Sequence, residues 1–298
     1  MNRLLCILLL GIMLISPAHA LTFTDSEGRC VQLENPQRVV SLYNSYGEAW
    51  LCAGGELIGS IADSFENGSL GADVQNLGSH TSPNMELLLS LNPDFVLLSG
   101  DVASHRDIAV LLEDAEIPCA FFSTPDYERY MEMILLFTQL TGRDDLYHVQ
   151  LAQVQEPIEK MIQEAESLPH STALLIRVNS ITLKCKNSEA TVAGHILHDL
   201  GFTNLADGNS ALCENISMEK LLIEDPDYIF VVLQGASSEA AESKLASVLT
   251  DNPAWNALTA VREGRFFILD RKLFHYHPNE RWAEAYDFIL DIRKGEAQ

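Results

Sequence analysis

A short block of this chain occurs twice. Met85-Glu86-Leu87-Leu88-Leu89 leads to Asn92-Pro93-Asp94 and the apolar run Phe95-Val96-Leu97-Leu98. Met218-Glu219-Lys220-Leu221-Leu222 leads to Asp225-Pro226-Asp227 and Tyr228-Ile229-Phe230-Val231-Val232. Glutamate precedes proline by seven residues both times, and the copies lie 133 residues apart. Each reads as a short helix, a proline break and a buried strand. Each follows an earlier strand, Val39-Val40-Ser41-Leu42 in the first half and Ala173 to Val178 in the second. Both earlier strands run into Asn-Ser, at Asn44-Ser45 and Asn179-Ser180. Parallel strands need helical crossovers, so this alternation predicts an α/β fold built as two lobes.

Between the halves, Leu146, Val149, Val154, Ile158, Met161 and Ile162 recur at helical spacing among polar residues. This predicts one amphipathic helix over 144–167, bent where Pro157 lacks a backbone N–H. The expected architecture is therefore two α/β lobes, 21–143 and 168–298, joined by a single long connecting helix, with the ligand cleft between the lobes.

Residues 1–20 read as a signal peptide. Arg3 supplies the positive start, and Leu4 to Ile15 is shorter than the roughly 20 apolar residues that span a bilayer. Ala18-His19-Ala20 is a small-x-small cleavage site, so cleavage after Ala20 is expected. Cys6 lies inside the apolar run, where it does not suit lipid attachment. Export permits disulfides. Cys30, Cys52, Cys119, Cys185 and Cys213 then remain, an odd number. They read as small buried residues with one or two bridges, the pairing left open.

Lys and Arg number 19 against 42 Asp and Glu, a net charge of −23, which excludes a broad nucleic-acid surface. No G-x-S-x-G, H-E-x-x-H or phosphate-binding glycine loop is present. A secreted metal-dependent enzyme remains as a rival only because carboxylates are abundant.

Several further segments fall in a telling order. Arg38-Val39-Val40-Ser41-Leu42 opens the mature chain's first strand, and the blocks from Glu86 to Asp94 and from Glu219 to Asp227 follow. Then come Asn252-Pro253-Ala254-Trp255, Leu258, Ala260-Val261 and Gly264-Arg265, and the tail Pro278-Asn279-Glu280-Arg281-Trp282. Over nearly the whole mature chain this resembles the solute-binding proteins of ABC importers for iron complexes and cobalamin. The resemblance implies a monomeric periplasmic protein with no catalytic activity and no cofactor of its own. Its ligand would be an iron complex, a ferric siderophore or haem, with cobalamin or another corrinoid as the alternative. Its partner would be an ABC permease dimer at the inner membrane. Glu86 and Glu219 would meet permease arginines, one from each lobe. The plainer reading of both is a helix-start acid favoured by the helix dipole.

In such a fold the ligand lies at loops that follow strand C-termini. Tyr43 and Tyr46 stand after the first strand, as ligand contacts or as packing aromatics. A deprotonated tyrosine also offers ferric iron a hard oxygen. Ser99, Asp101, Ser104 and His105 follow the Phe95 strand. Arg177 interrupts an apolar strand and needs a partner, an anionic ligand group or an Asp. Phe274-His275-Tyr276-His277-Pro278, with Arg281 and Trp282, is the densest cluster. His275 and His277 share one side of an extended loop and are candidates for direct metal contact. Arg281 suits a carboxylate. The expectation is a second-lobe wall of His275, Tyr276, His277 and Arg281 facing Tyr43 and Tyr46. A receptor for free metal would need three or four converging donors, and only His275 and His277 supply them clearly. His195 and His198 read as structural or solvent-facing.

Overall fold

The structure, a computed structural model, describes residues 20–65, 70–209, 213, 216–234 and 238–296. Most of the expected signal peptide, residues 1–19 of 1–20, lies outside that set. The first lobe begins with an antiparallel pair, β1 (Leu21–Thr24) and β2 (Cys30–Leu33). Then follow β3 (Val39–Ser41), α1 (Asn44–Cys52), β4 (Leu57–Ser60) and β5 (Gln75–Asn76). A two-residue ladder of β6 (Gly78–Ser79) with β7 (Ser82–Pro83) leads into α2 (Met85–Ser90) and β8 (Phe95–Ser99). The lobe closes with α3 (Ser104–Asp114), β9 (Cys119–Phe122) and α4 (Tyr127–Thr141). Its parallel sheet runs β5-β4-β3-β8-β9.

The connecting helix is α5 (Asp144–Gln150), a π turn over Leu151–Gln155, and α6 (Glu156–Ala165). The disturbance expected at Pro157 takes the form of that wider turn immediately before it. Proline cannot donate to Gln153 and its ring crowds that carbonyl, and the π turn loosens the ladder where the bond is missing.

The second lobe contains β10 (Ser171–Val178), β11 (Leu183–Cys185), α7 (Val192–Asp199), β12 (Phe202–Asn204) and α8 (Met218–Glu224). β13 (Tyr228–Leu233), α9 (Ser238–Leu245), α10 (Thr259–Arg262) and β14 (Phe266–Leu269) follow, then α11 (Arg271–Phe274) and α12 (Trp282–Lys294). The sheet order is β11-β10-β13-β14, with β12 also on β10 and only β11 antiparallel.

The repeat is structural as well as sequential. Asn92 and Asp225, each directly before its proline, both take left-handed backbone at φ 46° and 37°. Each following aspartate then ties its corner to the start of the neighbouring strand. Asp94 accepts from the Gln37 and Arg38 amides at 2.8 Å, and Asp227 from the Thr172 amide and hydroxyl at 2.8 Å. The helix-side apolar core is continuous from one lobe to the other. It joins Phe137, Val154 and Ile158 to Phe230 and Tyr286. Tyr127 meets Tyr286 edge-on at 5.7 Å. A shared core of this kind resists rigid-body motion of the lobes.

The expected disulfides are not formed. Cys30, Cys52, Cys119, Cys185 and Cys213 are all free thiols. The Cys52 thiol donates to Glu280, and the Arg29 guanidinium lies 3.7 Å from the Cys119 sulfur.

Candidate functional site

Tyr43 sits just before α1, at the C-terminal end of β3, in extended backbone. The Ser41 hydroxyl fixes the turn by donating to the Tyr43 carbonyl at 2.7 Å. The Tyr43 ring lies 4.8 Å from that of Tyr46 and 5.8 Å from that of His277. The first lobe thus meets the second here. Burial, with Asp101, Tyr276 and Asp63 nearby, pushes the Tyr43 phenol up to about 12.

Three of the expected site residues have other roles. Tyr46 is fully buried, and its hydroxyl donates to the Phe122 carbonyl at 3.0 Å. It supports Tyr43 from below and does not line the cleft. His277 donates from Nδ1 to the Thr124 carbonyl at 2.8 Å, joining the two lobes. Arg281 forms a bidentate pair with Glu284, at 2.7 and 2.8 Å, on the outside of the first turn of α12. That pairing occupies the fork that was expected to hold a ligand carboxylate. The motif before it is also a bridge: Asn279 donates to the Ser45 carbonyl and to Glu48, both at 3.0 Å.

His105 is likewise structural. It is fully buried, accepts the Ser99 amide at Nδ1 and donates from Nε2 to the His80 carbonyl.

The second-lobe wall is instead cationic. Arg177 breaks the apolar run of β10 and lines a recess with Leu175, Lys186, Thr191, Val232 and Phe274. Burial lowers its pKa, and no carboxylate pairs with it among the described residues. Lys186 is lowered by burial and by Arg177 and Lys184. Arg271 donates to the Tyr276 hydroxyl and lies 5.3 Å from the centre of that ring. His275 stands among these charges. Burial, then Arg177, Arg271 and His277, lower it to about 4, so it is neutral at pH 7.

Sequence reasoning missed Lys186 and Arg271. The signal was a concentration of cations, Lys184, Lys186, Arg271 and Lys272, in a chain that has only 19.

A cavity of about 690 Å³ lies further along the boundary between the lobes, between the start of α4 and residues 187–208. Asp126, Glu128, Glu189, Asp199 and Asp207 line it. Its sign is opposite to that of the Arg177 wall, so an anion would be repelled from it. It contains none of the expected site residues.

The sequence from 39 to 273 matches the family described as periplasmic binding protein. The chain belongs to the periplasmic binding protein family. It is 25% identical over 256 residues to the Fe(3+)-citrate-binding protein YfmC of Bacillus subtilis, covering 83% of this chain and 77% of that one. It is 24% identical over 267 residues to the Fe(3+) dicitrate-binding periplasmic protein FecB of Escherichia coli, covering 87% and 85%. Among solved structures, the siderophore-binding protein BauB, bound to ferric iron and two acinetobactin molecules, superposes with a TM-score of 0.71. That match has 19% identity and covers 93% and 99% of the two chains. A periplasmic heme-binding protein from Pseudomonas aeruginosa gives a TM-score of 0.69 at 22% identity, covering 88% and 94%. These structures establish the shared two-lobed fold.

In this periplasmic binding protein the buried neutral histidine carries a pH cost. An unfolded His275 takes up a proton near its ordinary pKa of 6.5, whereas the folded one does so only near 4. Between those values the unfolded chain binds more protons, so stability falls as pH falls. His275→Gln is expected to flatten this decline. Denaturant midpoints of parent and variant at pH 7 and pH 5 check it. An unchanged difference between the two pH values would show that His275 does not carry the effect.

Proposed function

We propose that this chain is the capture component of an ABC importer for an anionic ferric complex of the carboxylate type, with ferric citrate as its model. The carrying observation is the half-buried Arg177–Lys186 pair beside a narrow recess, where two cations crowd one another and no carboxylate among the described residues offsets them. Such crowding is costly in the empty protein and is relieved by a multiply charged anion. The two relatives named for ferric citrate support the same ligand class and favour iron over a corrinoid. Cleavage after Ala20 would deliver the protein to the periplasm. No helix among the described residues is long and apolar enough to cross a membrane. Glu86 and Glu219 are the proposed contacts to a permease dimer.

Calorimetric titration of the purified mature protein tests this reading. Ferric citrate is expected to bind saturably at one site, more tightly than haem or cobalamin. Binding of haem or cobalamin with no binding of ferric citrate would reject the carboxylate assignment.

A further inference from the structure

We propose that residues 277–280 are a releasable latch. They pin helix α1 of the first lobe, and with it the cleft rim at Tyr43, to the second lobe, and they let go without either lobe unfolding.

Three of these four consecutive residues hydrogen-bond across the lobe boundary. His277 donates from Nδ1 to the Thr124 carbonyl at 2.8 Å, just beyond β9. Asn279 donates to the Ser45 carbonyl and to the Glu48 carboxylate, both at 3.0 Å. Glu280 accepts from the Cys52 thiol at 3.3 Å. Ser45, Glu48 and Cys52 follow one another at about a helical turn, so the latch grips one face of α1 from its first turn to its last residue. Asn44 donates to the other oxygen of Glu48 at 3.1 Å and so orients the acceptor. Tyr43 directly precedes this helix, and its ring lies 5.8 Å from that of His277. At the other end, residues 279–281 pack against the π turn of the connecting helix. The tail from Pro278 to Trp282, which carried no role in ligand capture, is therefore the part of the second lobe that holds the first.

The grip carries its own opposing terms. Asn279 takes left-handed backbone at φ 55°, a region that a residue with a side chain adopts at a cost. It is 3% exposed, yet its Oδ1 has no partner among the described residues. Nε1 of the fully buried Trp282, three residues on, has none either. Unmet buried polar groups offset part of what the hydrogen bonds contribute. Release relaxes the backbone and lets water reach Asn279, which brings the latched and released states closer in energy. The apolar core shared by the lobes behaves differently. It resists wide motion, but apolar contact has no preferred direction and survives a small slide. A hydrogen bond is lost beyond about 3.5 Å. The polar ties of the latch, and not the core, therefore fix the last ångström between α1 and the second lobe.

Cys52 reports on the latch from inside it. The thiolate, not the thiol, is the nucleophile. Burial, then Glu280, push the Cys52 thiol up to about 12, so it is nearly inert while Glu280 rests on it. It becomes reactive when Glu280 leaves. Three other cysteines supply the references. Cys30 is exposed, and Cys119 in β9 and Cys185 in β11 are buried, one in each lobe.

The test is alkylation of the empty mature protein by iodoacetamide, with each cysteine followed by peptide mass spectrometry. In the parent, Cys52 should react more slowly than Cys30 and faster than Cys119 and Cys185. Asn279→Gly keeps the left-handed backbone and removes two of the ties. It should speed the reaction at Cys52 about tenfold and leave Cys119 and Cys185 unchanged. Glu48→Ala removes an acceptor from the first lobe and should act in the same direction, so the result does not hang on one variant. If Cys52 reacts in step with Cys119 and Cys185 in the parent, the contact opens only when the protein unfolds, and there is no latch. An unchanged Cys52 rate in both variants would show that Asn279 and Glu48 do not hold it. Equal acceleration of all three thiols would make these residues supports of the whole fold and overturn the proposal in the same way.

Discussion

Arg177→Leu is expected to do two opposite things: to weaken ferric citrate binding by about two orders of magnitude and to leave the empty protein as stable as the parent or more so. Arg177 lies in an apolar strand, between Ile176 and Val178, both fully buried. Its guanidinium has no carboxylate partner among the described residues, and Lys186 crowds it. Burying an unpaired charge costs stability, and an apolar residue of similar bulk removes that cost. With an anion bound, the same group becomes one side of a charge-assisted hydrogen bond. A bond of that kind is worth about 1.5–3 kcal/mol, which converts to roughly a 10- to 150-fold change in affinity. The desolvated setting places the expectation toward the upper end. Calorimetry with ferric citrate and thermal melting without it measure the two halves separately. A variant that binds like the parent would move the ligand away from this recess. A variant that loses binding because it has unfolded would be exposed by its melting curve, and would show that Arg177 holds the fold together.

That opposition between stability and binding explains which parts of the molecule were legible in the sequence. The lobes were legible because they are written in local patterns. Pro93 and Pro226 stop two helices, and the apolar runs behind them can only be buried strands. The helix beginning at Asp144 was legible from the helical spacing of its apolar residues. The site was legible only in part, because its residues are defined by partners distant in sequence. Arg281 resembled a ligand clamp until Glu284, three residues on in the same helix start, took its fork. His277 resembled a metal ligand until Thr124, 153 residues earlier, accepted its proton. Tyr46 and Tyr43 differ by three residues, yet helix geometry sends one into the core and leaves the other at the cleft. Lys186 and Arg271 carried no motif of their own. They matter because the fold gathers scarce cations on one wall of an acidic protein.

The double variant Glu86→Lys/Glu219→Lys is expected to stop uptake of the ferric complex in cells while its affinity for ferric citrate in solution stays within about twofold of the parent, as distant independent sites should behave. Both carboxylates are exposed, each at the second position of its helix, α2 or α8. Neither forms a hydrogen bond or an ion pair among the described residues, so their replacement should leave folding intact. The 133-residue repeat places them at equivalent positions of the two lobes. Leu88 and Leu221, two residues later in each helix, are both fully buried, which fixes the two helix faces alike. A partner with two-fold symmetry can engage such a pair with the same residue from each of its subunits. An exposed ion pair alone is worth at most about 1 kcal/mol, too little for an all-or-none effect. Reversal differs from removal, because like charges forced together in an interface cost several kcal/mol each. Glu86→Gln/Glu219→Gln should therefore slow uptake, and the Lys pair should abolish it. Equal, mild defects in the two doubles would mean the glutamates only cap their helices. Loss of ferric citrate binding in the Lys double would place them at the ligand and not at the permease.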